Sequence, residues 1–248
     1  MTGRMFLVAA TELADAHTGS VVEVGGDEGR HAVSVVRITA GQQVLLSDGA
    51  GRRAEVVVID ASPGRFSAEV LALHEAPEAS PRFVLVQALA KGDRDEQAVE
   101  AATELGVDEV VPWQAGRSIV RWRGEAKEER GRRRWEAVVS AATKQSRRAR
   151  APLVTSVQST TGLVERVGRG GLTLVLHEEA TRPLAGLALP DDGEVLVVVG
   201  PEGGIAPEEL AALTAAGAVV VRLGSDVLRS SAAGPAALAV ISAASRWR

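Results

Sequence analysis

The residues best equipped for chemistry lie in two glycine-marked turns in the last quarter of the chain. The first turn, within "VVVGPEGGIAPEEL" (Val197–Leu210), carries Glu202 among Gly200, Pro201, Gly203 and Gly204. The second, within "LGSDVLRSSAAGPAALAVI" (Leu223–Ile241), carries Arg229. In each, an apolar run ends in small residues and passes at once into an apolar stretch of helical period. One glycine is enough to turn from strand to helix, so the extra ones imply that something approaches the backbone closely. On this reading a branched side chain at Gly203 would fill the space where the backbone meets a ligand. A third stretch, "LHEEATRP" from Leu176, leaves an apolar run in the same way.

Several ligand formats are excluded. The phosphate loop G-x-x-x-x-G-K-[ST] is absent, and so is the dinucleotide fingerprint G-x-G-x-x-G after a first strand. "GRGG" (168–171) and "GPEGG" match neither pattern. A bent ligand with a large flat ring and little phosphate suits these loops better, and S-adenosylmethionine is such a ligand. There is no cysteine, and the four histidines (His17, His31, His74, His177) have no ligand spacing, so no metal is expected.

The elements around these loops must hold them at one place. Residues 5–73 read as short strands, "MFLVA", "SVVEVG", "QQVLLSDG", "RRAEVVVID" and "RFSAEVLAL", interrupted by one helical stretch, "DEGRHAVSVVRI". Short strands between turn signals indicate a small barrel. "HEAPEASPRF" (74–83) has the composition of a linker. Beyond it, "RFVLVQALA", "DEVVPW", "PLVTSV", "LTLVLHE", "EVLVVVG" and "AVVVRLG" alternate with helix-period segments such as "RDEQAVEAATELG", where Gly106 caps the C-terminus. Valine-rich strands alternating with helices predict an α/β fold with a parallel sheet covered on both faces. Ligands of such sheets bind beyond the carboxyl ends of the strands, so the three loops are expected to line one crevice.

The chain has 248 residues, 46% hydrophobic and 24% charged, and no apolar run approaches the roughly 20 residues that cross a bilayer. Its N-terminus lacks the layout of a signal peptide, so a cytoplasmic protein is the default. Net charge is −4, but Arg117–Arg150 holds 12 Lys/Arg against 4 Asp/Glu, a local balance of +8, leaving −12 for the rest. Basic charge is concentrated in one segment.

At this point the motifs become specific. "GPEGGIAPEEL" and "LGSDVLRSSAAG" resemble the two C-terminal signatures of the SPOUT RNA methyltransferases. The chain is more similar to the RsmE family, which methylates N3 of a uridine in 16S rRNA (family target U1498). "ALAKGDRDEQAVEAATELGVDEVVPW" (88–113) resembles that family's internal signature, and "GRHAVSVVRITAGQQVLLSDGAG" its PUA-like barrel. The resemblance implies an RNA-binding barrel over 1–74, a SPOUT methyltransferase domain over 75–248 with a trefoil knot at about 172–248, S-adenosyl-L-methionine as cofactor, a homodimer, and 16S rRNA or the small ribosomal subunit as partner. It implies cofactor contacts from Leu176, His177 and Glu178, from Gly200, Pro201, Glu202 and Gly203, and from Leu223, Gly224, Ser225, Val227 and Leu228. Many relatives read L-R-T-E-T-A where this chain has Leu228, Arg229, Ser230, Ser231, Ala232 and Ala233, so the family's glutamate is replaced by Ser231.

Methyl transfer to uracil N3 requires alignment and the removal of one proton. A cation on a flanking carbonyl oxygen stabilises the anion as the proton leaves, and Arg229 is the candidate catalytic residue. Glu202 could orient the cofactor, accept a proton or hold the loop, whereas Glu208 and Glu209, following Pro207, suit the first turn of a helix. Arg117, Arg121, Arg132, Arg133, Arg134, Lys144, Arg147 and Arg148 are candidate RNA contacts, with Trp113, Trp122 and Trp135 as aromatic surface. The target base must be unstacked to expose N3. Two other readings stay open: a ribose 2′-O-methyltransferase of the SPOUT class, and a catalytically inactive RNA-binding or assembly protein.

Overall fold

A computed structural model describes residues 3–247. The chain divides into two compact units, Met1–Glu78 with Ser140–Ala151, and Ala79–Val139 with Pro152–Arg248.

The first unit is built on a five-stranded mixed sheet shaped as a half-barrel. Its strands are β1 (Met5–Leu7), β2 (Val21–Val24), β3 (Gln43–Ser47), β4 (Arg52–Ser62) and β5 (Arg65–Glu75), in the order β1-β3-β4-β5-β2. Only the β1/β3 pair is parallel. Alternation decides which face is buried: Ala54, Val56 and Val58 on β4, with Phe66, Ala68 and Val70 on β5, point into the core. Register shifts at Glu55/Val56 and Val58/Asp60 bend the long β4/β5 ribbon. Phe6 and Phe66 meet with ring centroids 5.7 Å apart. Helix α1 (Ala10–Leu13) lies between β1 and β2, and α2 (Gly26–Arg30) follows β2. The segment after α2, His31–Val36, is wound as a π-helix and ends at Arg37 in the left-handed region.

The second unit carries a six-stranded, wholly parallel sheet. Its strands are β6 (Arg82–Ala88), β7 (Glu109–Trp113), β8 (Leu153–Val154), β9 (Leu172–Leu176), β10 (Glu194–Val199) and β11 (Val219–Val221), in the order β11-β9-β10-β6-β7-β8. The near-continuous apolar runs of β6, β7 and β10 are buried on both faces, as central parallel strands require. Helices α5 (Thr160–Gly168) and α6 (Pro207–Ala215) send Leu163, Val167 and Leu213 onto Val84, Val86, Leu196 and Val198. Helices α3 (Arg94–Glu104) and α7 (Ser230–Ala244) pack on each other and on β6 and β10. Gly106, just past α3, has φ +96°, the left-handed conformation that ends a helix. The long helix α4 (Glu125–Ser146) follows β7, and its last turns belong to the first unit.

The chain first moves outward from β6 to β7 and β8, returns to β9, and then inserts β10 between β9 and β6. Strand order reverses there, which is where open α/β sheets bind ligands. At the opposite, amino ends of the strands, Glu109 is buried and held by Arg82 (2.7 Å) and Arg166, which also pairs with Glu194 at 3.0 Å. Desolvation works against the Arg166 charge, yet its hydrogen bonds to Glu109 and Glu194 raise its pKa further.

Candidate active site

The three loops that follow β9, β10 and β11 converge on one cavity of about 450 Å³. Leu176, His177 and Glu178 line it from the first loop, Gly200, Pro201, Glu202 and Gly204 from the second, and Val227, Leu228 and Arg229 from the third. A smaller recess of about 80 Å³ shares Leu176–Glu178, Val227 and Leu228 and adds Leu223, Gly224 and Asp226. Gly203 and Ser225 line neither.

The second loop is compact for a steric reason. A Cβ on Gly200 would lie 2.7 Å from Ile205 Cγ1, and Gly204 has φ +72°, so neither position tolerates a side chain without adjustment. A Cβ on Gly203, expected to face a ligand, would lie 3.4 Å from Arg117 Cβ. Arg117 Nη1 donates to the Gly203 carbonyl at 3.0 Å and ties down the outer side of the turn.

Glu202 is committed within the protein. Its Oε1 accepts from the Lys91 N–H and from Arg94 Nη1, both at 3.0 Å. Burial alone would raise its pKa, but backbone N–H groups of Glu202 and Lys91 and the Arg94 guanidinium outweigh it and hold the carboxyl below its ordinary value. Such a carboxylate is a poor proton acceptor and a good anchor. Glu209 is likewise structural: buried at the start of α6, it accepts from Gly116 N–H (2.8 Å), Ala206 N–H (3.2 Å) and Thr160 Oγ1.

The first loop is fixed by His177, whose N–H donates to the Val221 carbonyl at 3.0 Å. Its Nδ1 accepts from Glu179 N–H at 3.2 Å, which leaves Nε2 as the ring nitrogen without that bond. Arg229 occupies the N-cap position of α7, and its carbonyl accepts from Ala232 and Ala233 N–H at 2.8 and 2.9 Å. Among the described residues its guanidinium has no hydrogen-bond or ion-pair partner. Next to it, Ser230 Oγ is buried on the cavity wall and has no hydrogen-bond partner among the described residues.

Arg94, Val199, Ile205, Ser230 and Ala233 also line the cavity and were not anticipated. Arg94 had a signal, the charged turn "KGDRDE" directly after an apolar strand. Ser230 and Ala233 are reached only because α7 starts at the cavity edge.

The basic segment is less free than its charge suggests. Arg132 pairs with Glu129 and Glu136, Arg133 with Glu129, Arg134 with Asp93 and Glu96, and Lys144 with Glu28. Arg121 donates to the Gly116 carbonyl. The aromatic surface expected here is not present. Trp113 and Trp135 are fully buried, Trp113 donating to Thr160 Oγ1 at 3.2 Å, and half-buried Trp122 packs edge-on against Trp135 at 5.6 Å. Core packing of large side chains claimed them. Among the described residues no helix is long and apolar enough to cross a membrane, and no His/Cys/Asp/Glu cluster could hold a metal ion.

Residues 77–242 match a family model described as an RNA methyltransferase domain, and residues 24–71 one described as an RNA methyltransferase PUA domain. Fold and site thus define the class, an RNA methyltransferase with an accompanying PUA domain. The chain is 51% identical over 235 residues to ribosomal RNA small subunit methyltransferase E of Mycobacterium bovis, covering 93% of this chain and 89% of that protein. It is 30% identical to the protein of that name from Bacillus subtilis, covering 93% and 92%. The crystal structure of ribosomal RNA small subunit methyltransferase E from Neisseria gonorrhoeae bound to S-adenosyl methionine superposes with a TM-score of 0.85 at 25% identity, covering 98% of both chains. The chain belongs to the ribosomal RNA small subunit methyltransferase E family.

Proposed function

We propose that the protein methylates N3 of a uridine in 16S rRNA of the small ribosomal subunit, with S-adenosyl-L-methionine as methyl donor. The observation that carries this reading is the cavity at the strand-order reversal, where three loops meet and Arg229 stands unpaired. The walls fit the cofactor. They offer main-chain groups of Gly200–Glu202, apolar surface from Val199, Ile205, Val227 and Leu228, and the orphaned hydroxyl of Ser230, with no phosphate-type loop. When bound, the cofactor supplies a methyl group already activated on a sulfonium.

The remaining work falls to this chain. Arg229 donates to a carbonyl oxygen beside N3 and stabilises the negative charge that develops as the N3 proton leaves. Its planar fork, unspent on any internal partner, is available for that bond. Glu202 keeps Arg94 and the Lys91 turn against the second loop, which holds the cavity in shape. The N3 proton passes to solvent at the cavity rim, where Val227 and Leu228 are exposed. A homodimer belongs to the same reading, supported by the family resemblance and by the exposed Val227 and Leu228 at the cavity rim.

The direct test is nucleoside mass spectrometry of 16S rRNA after incubation of small subunits from a deletion strain with the purified protein and cofactor. N3-methyluridine is expected. A 2′-O-methylated nucleoside, or no modification with cofactor bound, would refute the assignment. Sedimentation of the purified protein tests the dimer.

A further inference from the structure

Within the first unit lies a second cavity, of about 240 Å³, whose lining includes Arg4, Phe6, His31, Lys144, Gln145 and Arg147. We propose that it is a docking site for a phosphodiester and its adjoining nucleotide in the substrate RNA, separate from the methyl-transfer cavity. The inference rests on the RNA-methyltransferase reading above.

Three observations support it. Three cationic side chains and a histidine gather at one cavity. Glu28 is bound to Lys144 Nζ at 2.7 Å, an ion pair that engages Lys144 and neither arginine. Among the described residues the side chains of Arg4 and Arg147 have no hydrogen-bond or ion-pair partner, unlike the paired arginines of α4. Unpaired cations at a concave surface attract phosphate.

The backbone adds a second argument. Arg147 has φ +56° where the chain leaves α4, with Arg147 N–H on the Lys144 carbonyl (3.3 Å) and Arg148 N–H on the Thr143 carbonyl (3.1 Å). That is the left-handed end of a helix, a position at which glycine is favoured. An arginine in that conformation is strained, and strain of this kind clusters at functional sites. His31, which also lines the cavity, opens the π-helical segment His31–Val36, a winding also frequent at functional sites.

Volume selects the kind of ligand. Sites for free small molecules are roughly 300–1,000 Å³, so this smaller recess suits one part of an extended polymer. Gln145, exposed at the rim, can donate and accept at a base edge or a ribose hydroxyl.

The test uses a fluorescein-labelled RNA hairpin with a single-stranded loop, its affinity followed by anisotropy between about 50 and 200 mM KCl. Arg147→Gly relieves the left-handed strain, so this variant should melt no lower than wild type yet bind RNA more weakly. Its salt slope should fall by about 1, with a similar fall for Arg4→Ala. Arg147→Lys should keep the slope, and cofactor affinity should be unchanged in all three. Unchanged RNA affinity and slope in the Arg4→Ala/Arg147→Gly double variant, with wild-type methylation intact, would overturn the docking site alone. A lower melting temperature in Arg147→Gly would assign its loss to the fold and also overturn it. A wild-type protein that neither binds nor methylates RNA would overturn this inference together with the functional reading beneath it.

Discussion

Gly200 and Gly203 sit three residues apart in one turn, and the structure assigns them opposite sensitivities. An alanine Cβ at Gly200 would lie 2.7 Å from Ile205 Cγ1 and 3.3 Å from the Ile205 nitrogen. Carbon atoms are comfortable at roughly 3.5–4.0 Å, so Ile205 must retreat by about 1 Å into a close-packed core. Overpacking of this kind costs about 1–3 kcal/mol. If the strain is taken by the loop, cofactor affinity falls by roughly 5- to 150-fold, since about 1.4 kcal/mol is tenfold. If it is taken by the fold, the melting temperature falls by about 2–4 °C per kcal/mol. At Gly203 the same Cβ meets Arg117 at 3.4 Å, close to ordinary contact and outside the cavity. Gly203→Ala should therefore bind cofactor within about twofold of wild type, a difference under about 0.5 kcal/mol. Calorimetry with S-adenosylmethionine and thermal melts of both variants decide the matter. Normal behaviour of Gly200→Ala, or lost binding in a folded Gly203→Ala, would refute the steric reasoning.

Arg229→Ala should lower turnover by about 100- to 1,000-fold with little change in RNA affinity, and Arg229→Lys should recover part of it; steady-state kinetics at saturating RNA check this. Because the Glu202 pKa is lowered in the folded state, its contribution exists above the unfolded value and is lost as pH falls through the folded one. Glu202→Gln should therefore melt lower than wild type at neutral pH, by at most about 1 kcal/mol for a partly exposed pair, and the gap should close in acid melts below the usual glutamate range. Trp135→Ala removes a buried ring and should destabilise the protein by about 3–5 kcal/mol in denaturant titrations. A mere weakening of RNA binding without loss of stability would return that tryptophan to the surface.

Most of the fold was legible because local pattern and tertiary need agree. The valine runs of β6 and β10 are buried on both faces, and the alternation in β4 and β5 matches one wet and one dry face. Strand order was not legible. Nothing in "EVLVVVG" states that β10 enters between β9 and β6, because hydrophobic period carries no information about neighbours. The π-helical winding of His31–Val36 was also hidden, since "DEGRHAVSVVRI" has an ordinary helical appearance and the winding differs by a single hydrogen-bond step.

At the site, loops could be placed from the small residues that mark them, but the direction of each residue could not. Gly200 and Gly203 look equivalent in "GPEGG", and only the position of Ile205 on one side and Arg117 on the other separates them. The same limit applies to charge. A run such as "EERGRRRWE" states how many cations are present, not how many are spent. On α4, glutamates three or four positions from Arg132 and Arg133 lie on the same helical face and neutralise them, a spacing that could have been read in advance. Arg134 finds Asp93 and Glu96 from a distant segment, which no spacing rule reveals. Among the described residues the side chains of Arg147 and Arg229 have no hydrogen-bond or ion-pair partner, and each lines a cavity. Pairing together with position at a cavity therefore distinguishes arginines placed to meet a ligand from those that hold this protein together.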